Sequence, residues 1–256
     1  MRVLSFIVPA HDERASIVAT IESIRGSAGA VDHELIVVDD ASTDGTGELA
    51  ERAGARVLSV QHRQISRTRN AGAAAARGDV LVFVDADTRV TTAVVEAVVA
   101  AVADGVVGGG AMARFDDPKP LWARLMMPLM TRVYFAMNLA AGCFVFARRD
   151  AFDAVGGFDV ELFAGEEVEF SRAIKRFARQ LRAEQRPANA RFAVLRAPVE
   201  TSSRKLRIHS GWRILGELVR LLSLGRLGVR SRERLSLWYG PRTPDPAHRD
   251  GPANGG

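Results

Sequence analysis

Cysteine is nearly absent: Cys143 is the only one in 256 residues. A single thiol excludes an intrachain disulfide and a cysteine metal cluster, and it points to a reducing compartment. Long apolar runs are also missing. The longest uncharged stretch, residues 133–147, has 15 residues and contains Asn138, short of the roughly 18 or more of a membrane span. The chain starts directly on strand-like residues, without an apolar leader or a cleavage site, so a signal peptide is not expected and a cytoplasmic location is. Aromatic residues make up 7% and do not interleave with the basic ones, which argues against a nucleic-acid surface that stacks bases. No Gly-x-Gly-x-x-Gly follows the first strand, which excludes a dinucleotide-binding dehydrogenase. A sugar-nucleotide pyrophosphorylase is disfavoured too, because the first loop is neither Gly-rich nor basic.

What is present fits one sizeable domain or two intimately packed halves, with 47% apolar and 25% charged residues. The net charge of +5 is uneven. Residues 201–242 hold ten Lys or Arg against two Glu, a net of +8, so the remainder sums to −3. The basic character therefore belongs to a C-terminal segment, which is suited to phosphate, an acidic acceptor or an anionic membrane surface.

Apolar runs at residues 3–8, 34–38, 56–60 and 80–84 alternate with helical patterns at 17–24, at 46–53 and at 66–77, where Gly78 is expected to end the helix. Strands alternating with helices predict an α/β fold: a Rossmann-like, mostly parallel central sheet flanked by helices. Ligands then lie beyond the carboxyl ends of the strands. Three acidic loops fall on that edge, at residues 9–13, 39–46 and 85–87. Asp44 is the expected N-cap of the second helix.

The run at 80–84 has no polar alternation and so reads as a strand buried on both faces, ending in Asp85-Ala-Asp87. If the backbone stays extended, both carboxylates share a face. Two hard oxygen donors suit Mg²⁺ or Mn²⁺, with substrate phosphate completing the shell. The bland alternative is a turn in which one Asp caps the helix starting near Thr91.

Five stretches in order carry a resemblance: Val8-Pro-Ala-His-Asp-Glu13, Asp39-Asp-Ala-Ser-Thr-Asp-Gly-Thr46, Arg69-Asn-Ala-Gly72, Asp85-Ala-Asp87 and Gly165-Glu-Glu-Val-Glu-Phe170. Together they resemble family 2 glycosyltransferases, the inverting nucleotide-sugar enzymes, over residues 3 to about 180. The likeness implies a donor site for a nucleoside-diphosphate sugar, UDP or GDP, formed by Pro9, His11, Glu13, Asp40, Arg69 and Asp85. In it Asp40 accepts from a base N–H, His11 lies near the base, and Arg69 faces the diphosphate or ribose. It further implies that Asp87 ligates the metal, that Asp85 touches the ribose or a metal water, and that Glu167 is the catalytic base. The family usually has Asp at this last position, so Glu167 lengthens the arm by one methylene. A non-catalytic nucleotide-sugar-binding or scaffold protein is the rival from another class.

The halves divide as 1–105 for the donor and 106–200 for the acceptor. In the second, Gly109, Gly142 and Glu166 are expected on the acceptor side, the Gly-loosened strand at 106–115 letting a substrate lie close. The Met-rich residues 117–137 read as packing against the core or an interface, or else as a lipid-facing groove; from them a lipid-linked acceptor is the expectation. In the basic helical segment, 201–239, one reading is a flap in which Arg204 and Lys205 close over the diphosphate and His209 is a third metal ligand, the alternative being a solvated or capping His209. Its amphipathic helix can dock on the body, pair in a homodimer, or lie on the inner face of a membrane. Residues 240–256 read as a disordered tail.

Overall fold

The computed structural model describes residues 3–116, 132 and 136–203. In chain order the elements are β1 (Leu4–Ala10), α1 (Ile17–Ala28), β2 (His33–Asp40), α2 (Thr46–Arg52), β3 (Arg56–Val60), α3 (Ile65–Ala75), β4 (Val80–Val84), β5 (Thr88–Arg89), α4 (Thr92–Ala103), β6 (Val106–Phe115), β7 (Phe144–Arg148), α5 (Arg149–Val155), α6 (Glu166–Ala183) and β8 (Arg191–Thr201). The sheet order is β3-β2-β1-β4-β7-β6-β8-β5. β1 to β4 run parallel to one another, and β7 is reversed between β4 and β6. The α/β fold with a mostly parallel sheet matches the expectation, β7 and the two-residue β5 being the reversed strands.

β4 is buried along its whole length, as a strand covered on both faces must be. Alternate residues feed two cores. Phe6, Val8, Val37, Val80, Val82 and Val84 meet α1 and α4 on one face. Ile7, Ile36, Val38, Leu81 and Phe83 meet α3, α5 and α6 on the other. There Phe83, Phe152, Phe158 and Phe170 pack as an aromatic group, with Phe158 and Phe170 stacked at 4.4 Å, which orients the start of α6.

Several glycines are set by close approach rather than by turns. A side chain at Gly72 would run into Ile7, so α3 can lie flat on the sheet only with glycine there. Gly78 does not terminate α3 as expected. The helix ends at Ala75, and Gly78 instead lies where a Cβ would come within 2.5 Å of Ser5 Oγ and 2.6 Å of the Val3 carbonyl. The run Gly108–Gly110 is likewise filled by the protein itself. A Cβ at Gly109 would overlap the Ala193 carbonyl of β8, and one at Gly110 would come within 2.8 Å of Ala140. Gly109 therefore serves the β6–β8 contact, and the expectation that it faces an acceptor is corrected. Pro198 falls at the register shift between β6 and β8, where its missing N–H leaves no ladder bond unmade.

Candidate active site

The β1–α1 loop is fastened to the β2–α2 loop by backbone amides. The Asp12 amide donates to Ser42 Oγ (3.0 Å), Glu13 to Thr46 Oγ1 (2.8 Å) and Arg14 to Asp44 Oδ2 (3.0 Å), while the Thr43 amide donates to Asp12 Oδ1 (2.8 Å). The side chains at 42, 44 and 46 are therefore committed to shaping two loops as one wall. Gly45, at φ +84°, takes the N-cap position of α2 that was expected of Asp44; the Asp44 carboxylate accepts instead from the Thr46 amide at 3.0 Å. In this wall Pro9 is buried within β1, Glu13 is buried, and His11 sits half-buried with Nε2 3.2 Å from Asp12 Oδ2.

Asp40 is not available to a nucleobase, contrary to expectation. It is 5% exposed, and its carboxylate accepts from the His62 (2.6 Å), Arg63 (2.8 Å) and Gln64 (3.2 Å) amides and from Thr68 Oγ1 (2.7 Å). Burial pushes its pKa up, but the Arg63 amide, the Thr68 hydroxyl and the other two amides outweigh that and hold it below its ordinary value. It anchors the start of α3. Sequence reasoning passed over its neighbour Asp39, which the strand alternation turns to the opposite face, towards α1 and α2. Asp39 is half-buried, accepts from the Ser42 amide at 3.2 Å, and has Oδ2 2.6 Å from where a Cβ of Gly47 would stand. The period-two alternation between Val37 and Val38 was the signal that separates the two acids.

At the end of β4 the chain turns instead of staying extended. The Asp85 amide donates to the Cys143 carbonyl (3.1 Å), and the Thr88 amide returns to the Asp85 carbonyl (2.9 Å). Thr20 Oγ1 holds the Ala86 carbonyl at 2.8 Å, and the Ser202 amide holds that of Asp87 at 3.2 Å. Burial first, then the negative charges of Asp85 and Asp87, raise the Cys143 thiol pKa. Neither caps α4, because Thr91 does so, accepting from the Val94 amide at 3.3 Å. Asp85 and Asp87 are both half-buried. This pair of hard oxygen donors fits Mg²⁺ or Mn²⁺ with phosphate oxygens in the remaining positions. Among the described residues no group of three or more His, Cys, Asp or Glu forms a ready-made metal cluster. His209, Arg204 and Lys205 lie outside the described residues, as do the Met-rich segment apart from residues 132, 136 and 137, the basic helix and the tail.

Arg69 departs furthest from the expectation of a donor contact. It is 2% exposed, with Nη1 2.8 Å from Glu166 Oε1 and Nη2 3.0 Å from Asp85 Oδ1 and 2.8 Å from the Gly142 carbonyl. Its guanidinium carbon lies 5.2 Å from the centre of the Phe158 ring. Burial opposes the charge, yet Asp85, Glu166 and Glu167 hold the Arg69 pKa above its ordinary value. Glu166 is thus spent on Arg69 and not on an acceptor. The next residue of the motif, Asn70, exchanges both of its amide bonds with the Phe158 backbone (2.9 and 3.0 Å), and Gln64 Nε2 donates to the carbonyls of Val160 and Leu162. So α3 carries the loop that leads into α6.

Glu167 follows in the first turn of α6 behind Gly165, whose φ is +72°. A Cβ at Gly142 would lie 3.7 Å from Glu167 Cδ and 3.8 Å from Arg69 Nη2, so Gly142 leaves room for both. Burial first, then the Glu166 charge and more weakly that of Asp85, raise the Glu167 pKa to about 8, against the pull of its own amide and Arg69. The same neighbourhood therefore holds two carboxylates paired with Arg69 and a third, Glu167, whose pKa is raised towards neutrality and above.

The match to known proteins decides the family. The family model for glycosyl transferase family 2 matches residues 5–156, more than half of the chain. The chain belongs to glycosyl transferase family 2. A glucosyl-3-phosphoglycerate synthase from Mycolicibacterium paratuberculosis is 39% identical over 94 residues, 34% of this chain and 29% of that protein. The corresponding protein of Mycobacterium tuberculosis is 36% identical over the same length. The chain thus matches less than a third of the length of these curated relatives. Among solved structures, a mannosyltransferase from Pyrobaculum calidifontis in complex with GDP-Man and Mn²⁺ aligns with a TM-score of 0.64 at 17% identity, covering 91% of this chain and 67% of that one. Glucosyl-3-phosphoglycerate synthase from Mycobacterium tuberculosis, with Mn²⁺, UDP and phosphoglyceric acid, aligns with a TM-score of 0.55 at 21% identity, covering 90% and 80%. At these identities the structures speak for the fold of this family 2 chain. No helix among its described residues is long and apolar enough to cross a membrane.

Proposed function

We propose that this family 2 chain transfers a sugar from a nucleoside-diphosphate sugar to an acceptor hydroxyl with inversion, assisted by a divalent metal. The observation that carries the reading is the contrast inside one small volume, where the Asp85 and Glu166 carboxylates are each paired with Arg69 while burial and the neighbouring charges raise the Glu167 pKa to about 8. A carboxylate poised near the working pH and bordering the donor edge is the group a single displacement needs.

In this mechanism the joined β1 and β2 loops hold the nucleoside, with Asp39 in place of Asp40 as the carboxylate open to a base N–H. Asp87, with the free oxygen of Asp85, holds Mg²⁺ or Mn²⁺, which when bound would neutralise the charge gathering on the departing diphosphate. Glu167 takes the proton of the acceptor hydroxyl. The acceptor oxygen forms its bond to the anomeric carbon from the face opposite the nucleotide, and the bond to the β-phosphate oxygen breaks, its electron pair leaving on the nucleoside diphosphate. Attack from the opposite face inverts the centre. The relatives and neighbours named for UDP, GDP-Man and Mn²⁺ support the donor class.

The test is a melting panel of UDP and GDP with and without Mn²⁺ on the native chain and on Asp87→Ala. A nucleotide at 100 times its Kd adds about 2.7 kcal/mol. The expected outcome is stabilisation only with metal, lost in Asp87→Ala. Turnover is then assayed with two acceptor chemistries, a phosphorylated hydroxy acid, as the relatives' names suggest, and a polyprenyl phosphate for the lipid-linked expectation. Metal-dependent binding with no turnover on any acceptor and no donor hydrolysis would favour the non-catalytic binding protein. No nucleotide response under any metal would remove the reading altogether.

A further inference from the structure

We propose that Arg69 is a positioning residue that locks the Glu166–Glu167 turn to the Asp85 turn, fixing the distance between the donor edge and the catalytic carboxylate. The proposal rests on the transferase reading above for its kinetic arm and on geometry alone for its structural arm.

Three separate pieces of chain end at one guanidinium. The Asp85 turn follows β4, the Gly142 carbonyl precedes β7, and Glu166 opens α6; their oxygens lie 3.0, 2.8 and 2.8 Å from Arg69 nitrogens. These segments are remote in sequence. Arginine's planar fork is suited to this, because it presents donors at fixed angles that a lysine ammonium does not reproduce. The rest of α3 points the same way. Asn70 clamps Phe158, and Gln64 and Ser66 hold the Leu162 carbonyl, so the loop entering α6 is bound to α3 at several points before Arg69 fixes its last turn. The Arg69 Nε is buried without a partner and the guanidinium lies against Phe158. A buried cation with one donor left unpaired is costly. Its two carboxylates and one carbonyl must offset that cost, and they join the donor half to the acceptor half. A donor-contact role would require the fork to face outward, and its terminal nitrogens are already engaged inward.

The experiment uses full-length native chain, Arg69→Lys, Glu166→Gln and the double variant. It measures transfer kinetics, melting with UDP or GDP plus Mn²⁺, and amide exchange. If Arg69 positions the base, Arg69→Lys lowers kcat on the order of 100-fold, as a misplacement of about 1 Å does, while the metal–nucleotide melting response and donor KM stay within about threefold of native. Glu166→Gln gives a similar loss, and the double variant loses little more than the worse single. Exchange at the Val168 and Glu169 amides of α6 and at the Asp85 and Thr88 amides rises in Arg69→Lys. A donor-contact role gives the reverse pattern, with the nucleotide response lost in Arg69→Lys and kept in Glu166→Gln, and that result overturns the proposal. Additive losses, or kcat within about threefold of native in both single variants, overturn it as well. Should the native chain show no turnover or nucleotide response, the proposed function fails but exchange still decides this point: unchanged protection at those four amides in Arg69→Lys and, if that variant does not fold, in Glu166→Gln, overturns it.

Discussion

Asp40, at the end of β2, and Glu167, at the start of α6, are two carboxylates drawn into the protein and treated in opposite ways. Asp40 receives three backbone amides and a hydroxyl, and its pKa falls below the ordinary carboxylate value. Glu167 shares its burial with the charges of Glu166 and Asp85, and its pKa rises to about 8. The first acid is locked in its charged form and therefore builds structure. The second is left able to change its charge and can do chemistry. The same division runs along the chain: Asp12, Asp40 and Asp44 are spent on fastening loops, whereas Arg69 and Glu166, paired across 97 residues, border one carboxylate that is not tied down.

The sharpest way to break this comparison is Glu167→Gln. Losing a positioned general base costs about 10²- to 10⁴-fold in rate, so kcat should fall by that order while the Mn²⁺-dependent melting response to nucleotide is kept. A similar loss of nucleotide binding would show that Glu167 belongs to the donor site. The native rate should rise with pH, with kcat/KM half-maximal near 8, or somewhat lower where a bound cation favours the carboxylate. The stability signature has its own sign. Because the folded pKa is raised, the stability linked to Glu167 is fully present below the ordinary value of 4.5 and is lost as pH rises through about 8. Glu167→Gln should therefore gain on the native chain in melting temperature above pH 8 and show no advantage below pH 4.5. An advantage that is independent of pH would contradict the raised pKa.

Asp40→Asn is the counterpart, and its effect lies in stability. An amide offers one acceptor oxygen and turns an NH₂ towards amides that need an acceptor. A loss of about 2–3 kcal/mol follows from weakening hydrogen bonds to a buried charge. Here the folded pKa is depressed, so the stabilisation is present above the unfolded value of about 3.8 and is lost as pH falls through the lower folded value. The deficit of Asp40→Asn in urea denaturation should be full at pH 7 and shrink below pH 4, the opposite trend to Glu167. Preference between UDP and GDP should be unchanged among molecules that remain folded. A switch in base preference would restore Asp40 to the nucleobase.

The sheet was legible because its signals are local: five apolar residues in β4 and the repeated strand-then-helix pattern need no partner to be read. The acidic loops were legible as a set because parallel strands deliver their carboxyl ends to one edge. The partners of each side chain were not legible. Asp40 reaches residues 62–68, Arg69 reaches residues 85, 142 and 166, and Gly109 meets Ala193, all pairings across long sequence separations. Charged residues in a motif look alike from the sequence whether they face a ligand or one another. Strand parity did carry usable information, since it sets Asp39 and Asp40 on opposite faces.

The smallest effect tests whether the joined β1–α1 and β2–α2 loops act as one unit. Thr46 Oγ1 accepts from the buried Glu13 amide and donates to Asp44, so Thr46→Val keeps the shape while leaving that N–H without its acceptor. The expected cost is about 1–2 kcal/mol, the penalty of one unsatisfied buried donor. If the two loops hold the nucleoside together, the variant should also lose nucleotide affinity by more than its stability loss alone explains, since the β1 loop is freed from the β2 loop at the point where both face the donor. Calorimetric titration of UDP with Mn²⁺ at a temperature where native and variant are both fully folded separates the two. Unchanged affinity would mean that the fastening serves stability only, and that the donor half recognises its nucleotide through β2 and the Asp85 turn without the first loop.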